Sequence, residues 1–114
     1  MPYLKIETNK SLNEAAVQAL LKKSSAFTAT LLGKPEKWIM VSLLQGAPMM
    51  FDGSIDPAAY VELKSISLTE EACGALSKSL CGFLLAELGV SPERVYIEFW
   101  SINGRMFGWN GGTF

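Results

Sequence analysis

Pro2 directly follows Met1 and opens an alternating apolar and polar stretch, PYLKIET, over residues 2–8. Two roles are open to it. A proline is tolerated at the first position of a strand, where the missing N–H costs least. Once Met1 is removed, the same residue carries a free secondary amine, a base whose direction its own ring fixes. The remaining composition narrows the field of alternatives. The chain has no histidine, which removes Ser-His-Asp and Cys-His catalysis and every histidine-containing metal site. Its two cysteines, Cys73 and Cys81, fall in one helical stretch about 12 Å apart along the axis. A disulfide needs Cα atoms within about 7 Å, so they are read as buried residues on a helix face. Lys34 follows Gly33 at the end of the first helix. Its ordinary role there is a cation placed favourably at the helix C-terminus.

These residues need a scaffold, and a chain of 114 residues is the size of one domain. With 49% hydrophobic residues and a net charge of -1, it has ample material for a core and no basic footprint for nucleic acid. No apolar run reaches the roughly 18 residues of a membrane span. The N-terminus lacks the charged and apolar regions of a secretory leader. The expectation is a soluble, cytoplasmic protein, binding neither nucleic acid nor membrane, with leaderless export left open.

Periodicity supplies the elements. Residues 2–8 read as a strand with Leu4, Ile6 and Thr8 on one face. Ser11-Leu-Asn-Glu14 has the form of a capping box, and a helix follows with Val17, Leu20, Leu21, Ser24, Phe27, Thr28 and Leu31 on one side. Gly33 and Pro35 end it. Residues 38–44 are an almost unbroken apolar run, opened by Trp38, which predicts a strand covered on both faces. Residues 45–57 read as a loop with turns. Residues 59–66 alternate as a strand, and Ser67 or Thr69 can cap a second helix bearing Leu76, Leu80, Phe83, Leu84 and Leu88. Gly89 and Pro92 end that helix, and residues 95–100 form the last long strand. The tail, 101–114, is glycine-rich and aromatic.

The order strand–helix–strand occurs twice, over about 2–46 and 58–100, a repeat of about 55 residues. It predicts an α+β fold in which two βαβ repeats form a four-stranded mixed sheet with two helices on one face. The strands at 38–44 and 95–100 look apolar on both faces, so the uncovered side of the sheet calls for a homo-oligomer.

Five stretches carry a family resemblance: M-P-x-x-x-I-x-T-N at the start; L-G-K-P-x-x-W-I at 32–39; L-K-S-I at 63–66; S-P-E-R-V-Y-I at 91–97; and G-W-N-x-x-T-F at 108–114. Together they resemble the macrophage migration inhibitory factor family of the tautomerase superfamily along the whole chain. The resemblance implies a single 1–114 domain, a homotrimer whose sheets form a central barrel, and a site at each subunit interface. It implies Pro2 as catalytic base and a small aromatic 2-keto acid as substrate, with no metal or cofactor. Lys34 and the Ile66 amide would bind the substrate's carboxylate or keto oxygen. Trp38, Phe107, Trp109 and Phe114 would line the pocket, and a neighbouring subunit would supply Tyr96.

The proposed chemistry suits an amine. A keto–enol tautomerase of the phenylpyruvate or dopachrome type needs a base of suitable pKa, a group to hold the enolate and a dry pocket. A free α-amine has a reference pKa of about 7.7–8. An apolar pocket and a nearby lysine both lower it. Two departures from the family pattern stand out. Glu98 replaces an asparagine that donates to the substrate ring, and an ionised glutamate only accepts, so it disfavours anionic ring substituents. The loop bearing CxxC in some relatives reads AAYV at 58–61, so thiol-oxidoreductase activity is not expected. A trimeric, cytokine-like interaction protein is the alternative. Hydration or decarboxylation by the same proline would need arginines, and Arg94 and Arg105 fall outside the pocket positions.

Overall fold

A computed structural model describes all of residues 1–114. Strand β1 (Tyr3–Thr8) leads to helix α1 (Glu14–Leu32) and strand β2 (Met40–Leu44). Strand β3 (Ala59–Ile66), helix α2 (Glu70–Leu88) and strand β4 (Val95–Ile102) repeat that order. The tail forms a small hairpin, β5 (Gly108–Trp109) and β6 (Gly112–Thr113). The main sheet has the order β2-β1-β3-β4. Each repeat contributes one parallel pair, β1 with β2 and β3 with β4, and the antiparallel β1–β3 pair joins the repeats at the centre.

Alternation along the inner strands puts Leu4, Ile6, Val61 and Leu63 on one face, all fully buried. Leu76, Leu80, Leu84 and Leu88 recur every four residues on α2 and pack on that face with Leu20 and Val90. Phe27 and Phe83, on the two helices, stack with centroids 4.3 Å apart. Both helices end on a glycine in the left-handed region, Gly33 (φ 63°) and Gly89 (φ 69°), a conformation that costs glycine little. Each is followed by a short 3-10 turn, Glu36–Trp38 or Pro92–Arg94, and then by a strand.

Several details correct the sequence reading. Ser11 does not cap α1; Asn13 does, its side chain accepting from the Ala16 N–H at 2.8 Å. The preceding residues are already held by the loop after β2: the Gly46 N–H donates to Lys10 O at 2.8 Å and the Ala47 N–H to Thr8 O at 3.0 Å. They are therefore not free to enter a helix. Trp38 belongs to the 3-10 turn rather than to β2. Cys73 and Cys81 are free and half-buried rather than buried. The outer face of the sheet carries the polar residues that alternation assigned to the inner strands. Its centre carries Lys5, Glu62 and Lys64, with Glu62 3.8 Å from each lysine. The exposed apolar residues Met40, Leu44, Tyr96 and Trp100 stand on the two edge strands.

Ser24 and Thr28 are completely buried on α1, and neither hydroxyl has a hydrogen-bond partner. An unmade buried hydrogen bond costs about 1–3 kcal/mol. The isosteric change Thr28→Val should therefore stabilise the fold by about 1 kcal/mol, and Ser24→Ala should act in the same direction. Urea denaturation at fixed protein concentration checks this; lower midpoints for both variants would show that the hydroxyls are satisfied in solution.

Candidate active site

The site is built where β1 begins. The Met40 N–H donates to Pro2 O at 3.0 Å, which fixes Pro2 against the start of β2. Pro2 itself is buried. The parallel register sets Tyr3 beside Met40 and Lys5 beside Ser42, and the Tyr3 and Ser42 hydroxyls are 2.6 Å apart.

Lys34 reaches this place through the end of α1. The Gly33 N–H donates to Thr30 O at 3.3 Å and the Lys34 N–H to Ala29 O at 3.0 Å. This pair of bonds is a Schellman motif, which turns the chain sharply out of the helix. The lysine's ammonium then donates to Ser65 Oγ at 2.7 Å and to Ile66 O at 2.8 Å. Ser65 is a fully buried polar residue on the core face of β3. It went unassigned in the sequence, although a serine in an otherwise apolar core register was a usable signal. Burial lowers the Lys34 pKa. The N-terminal amine is lowered too, first by burial and then by the charge of Lys34. Two amines thus share one partly desolvated corner, where the charge of Lys34 disfavours the proton on the terminal amine.

The tail closes the space over Pro2. The 3-10 turn Gly104–Met106 brings the chain back, and the Phe114 N–H donates to Gly104 O at 3.1 Å and to Phe107 O at 3.2 Å. A side chain at Gly104 would approach Phe114 O at 3.2 Å, so glycine permits this close return. The β5–β6 hairpin turns at Asn110 (φ 50°) and Gly111 (φ 80°), a sequence suited to two successive left-handed residues. It sets Trp109 edge-on to Trp38 at 4.8 Å and stacked on Phe114 at 5.9 Å. Phe114 also meets Trp38 and Phe107 edge-on.

These elements border a partly open cavity of about 600 Å³ lined by Pro2, Trp38, Phe107, Trp109 and Phe114, five of the expected site residues, and by Met1. Tyr3, Met40, Val41, Ser42, Lys64, Ile102 and Met106 also line it, and sequence reasoning had not singled these out for the site. Lys34 and Ile66 stand beside the cavity rather than in its wall. The carbonyl of Ile66, not its N–H, is the group engaged by Lys34.

Tyr96 and Glu98 are not brought to this cavity within the chain. Tyr96 lies toward the other end of β4, opposite Tyr60 in the register, and packs on Phe51 at 4.7 Å. Phe51 belongs to a loop held by Arg94, whose guanidinium donates to the carbonyls of Phe51, Ser54, Asp56 and Pro57. Glu98 accepts from the Tyr60 hydroxyl and the Trp100 indole N–H of its own chain. Those two donors hold its carboxyl below the usual range, and Glu98 in turn raises the Tyr60 pKa. Glu98 is an ionised acceptor already engaged inside its own sheet.

A mostly apolar, aromatic cavity with the chain's N-terminal region in its wall and an ammonium beside it can hold a flat, anionic molecule and exchange a proton with it. Known proteins share the frame. A homologue from Brugia malayi, named macrophage migration inhibitory factor homolog, is 38% identical, with 100% of this chain and 99% of that protein aligned. A Gallus gallus protein named D-dopachrome decarboxylase is 35% identical over 96% of this chain and 94% of its own length. The crystal structure of the Prochlorococcus marinus macrophage migration inhibitory factor homologue superposes with a TM-score of 0.90 at 40% identity, covering 98% of each chain. The family model for macrophage migration inhibitory factor matches residues 1–114. With fold, relatives and family model agreeing over the full length, the chain belongs to the macrophage migration inhibitory factor family.

Proposed function

We propose that this protein is a keto–enol tautomerase acting on phenylpyruvate-type aromatic 2-keto acids, with the amine of Pro2 as general base after loss of Met1. Family membership supports a tautomerase-related activity. The observation that carries the finer reading is the placement of buried Pro2 in the wall of the aromatic cavity, beside the charge of Lys34. In this reading the two causes that lower the pKa of the Met1 amine, burial and the charge of Lys34, act on Pro2 once it is the terminus. Its amine is then neutral, and basic, at lower pH than an exposed one.

In this mechanism the Pro2 nitrogen takes a proton from the carbon next to the keto group. The electron pair moves onto the oxygen, the Lys34 ammonium and the Ile66 amide hold the developing charge, and the proton is returned to oxygen. The aromatic ring of the substrate lies against Trp38, Trp109, Phe107 and Phe114. Enol formation from phenylpyruvate, followed by ultraviolet absorbance after intact-mass confirmation that Met1 is absent, tests the reading. Equal turnover by wild type, by Pro2→Gly and by a chain extended ahead of Pro2 would refute it.

The catalytic unit in this reading is a homotrimer, in which a neighbour's Tyr96 completes each pocket. Tyr96 is 61% exposed in the single chain, and both edge strands of the sheet are open to pairing with another copy. Analytical ultracentrifugation should give three times the 12.4 kDa chain mass; a monomer at assay concentration would remove the shared site.

A further inference from the structure

Lys64 is the cation that lines the cavity directly, yet the proton transfer proposed above gives it no task. Alternation along β3 puts Lys64 and Ser65 on opposite faces of the sheet. Ser65 anchors Lys34 on the core side. Lys64 stands on the outer side, directly across from Tyr3 in the β1–β3 register. The two lysines therefore approach the start of β1 from opposite faces. Beside Lys64, the hydroxyls of Tyr3 and Ser42 form a polar strip in a wall that is otherwise apolar.

The Lys64 ammonium makes a loose ion pair with Glu62 at 3.8 Å, beyond hydrogen-bond range and shared with Lys5, and its charge also reaches Glu98. The lysine side chain is 36% exposed, so it can turn toward a ligand without breaking a hydrogen bond. Glu98 also sits on this outer face, but both of its oxygens are taken by Tyr60 and Trp100.

We propose that Lys64 is a specificity-determining residue that recognises a second anionic group on the substrate, favouring aromatic 2-keto acids that carry a carboxylate on the ring. Lys34 takes the 2-keto acid end and Lys64 the distal carboxylate, with the hydroxyls of Tyr3 and Ser42 as further donors. This rests on the tautomerase reading; within the chain Lys64 lines the cavity, whereas Glu98 does not.

Binding separates this proposal from the catalytic one. Calorimetric titration of the Met1-free protein with cinnamate and 4-carboxycinnamate needs no proton transfer. Wild type should bind 4-carboxycinnamate about tenfold more tightly, a ratio that corresponds to one charge-assisted contact. Lys64→Met should bring the two ligands within twofold of each other, and Lys64→Arg should restore the preference. A wild-type protein without the preference, or a Lys64→Met variant that keeps it or weakens both ligands equally, would overturn the assignment. Loss of the base reading would show separately, as phenylpyruvate turnover that does not depend on Pro2.

Discussion

A chain carrying any residue ahead of Pro2 should lose about 10²–10⁴-fold in phenylpyruvate tautomerisation, the usual contribution of a positioned general base. The physical reason is a change of functional group. With Met1 in place the Pro2 nitrogen is an amide, whose lone pair is delocalised into the carbonyl, and it cannot accept a proton at neutral pH. Pro2→Gly should be damaged less, because a terminal glycine still offers an amine. It loses the ring that fixes the direction of the lone pair, so the loss should fall between wild type and the extended chain. Stopped-flow measurement of kcat/KM on samples verified by intact mass gives the order directly. The extended chain should retain its circular dichroism and oligomeric mass, because Met1 is accommodated in the cavity wall in this structure. An extended chain as active as wild type would move the base to another residue.

Lys34→Ala should have the second large effect, visible in two places. The ammonium now donates to Ser65 Oγ and Ile66 O and lowers the terminal amine's pKa. Removing it deletes a charged partner for the substrate carboxylate, which is worth about 1.5–3 kcal/mol, so KM should rise about tenfold to a hundredfold. The proposed base, the Pro2 amine, acts when neutral. With the neighbouring charge gone its pKa rises, so the acid limb of kcat/KM against pH should move to higher pH. Pro2 is buried and that burial remains, so the limb should stop short of an exposed amine's position. Lys34→Gln should show the same shift. A raised KM with an unmoved acid limb would confine Lys34 to substrate binding.

The parts of this structure that follow from neighbouring residues were legible in the sequence. Alternation in residues 3–8 and 59–66 gave the two inner strands and their buried faces. Gly33 and Gly89 ended both helices as the residue type requires. Trp38 was misplaced because an apolar run at 38–44 does not distinguish a strand from the turn that feeds it. Ser11 was misread as the cap because S-x-x-E is a local pattern, whereas the start of α1 is set by bonds from Gly46 and Ala47 to the preceding segment. Alternation also placed Lys5, Glu62 and Lys64 on the outer face of the inner strands; that β2 and β4 are the edges flanking them is a property of the strand order.

For the site, the sequence left Pro2 open between a strand-starting residue and a base, its resemblance to the family pointed to the base, and it supplied the aromatic residues of the tail. Only the tertiary structure decided which of them meet. It joined Lys34 to Ser65 and Ile66, folded Phe114 back onto Gly104, and added Lys64, Tyr3 and Ser42 to the cavity wall. It left Tyr96 near Phe51 and tied Glu98 to its own sheet. Periodicity and capping are short-range properties that one segment specifies alone. Convergence depends on the register between strands and on loop returns over distances of tens of residues, where no single stretch of sequence holds the information.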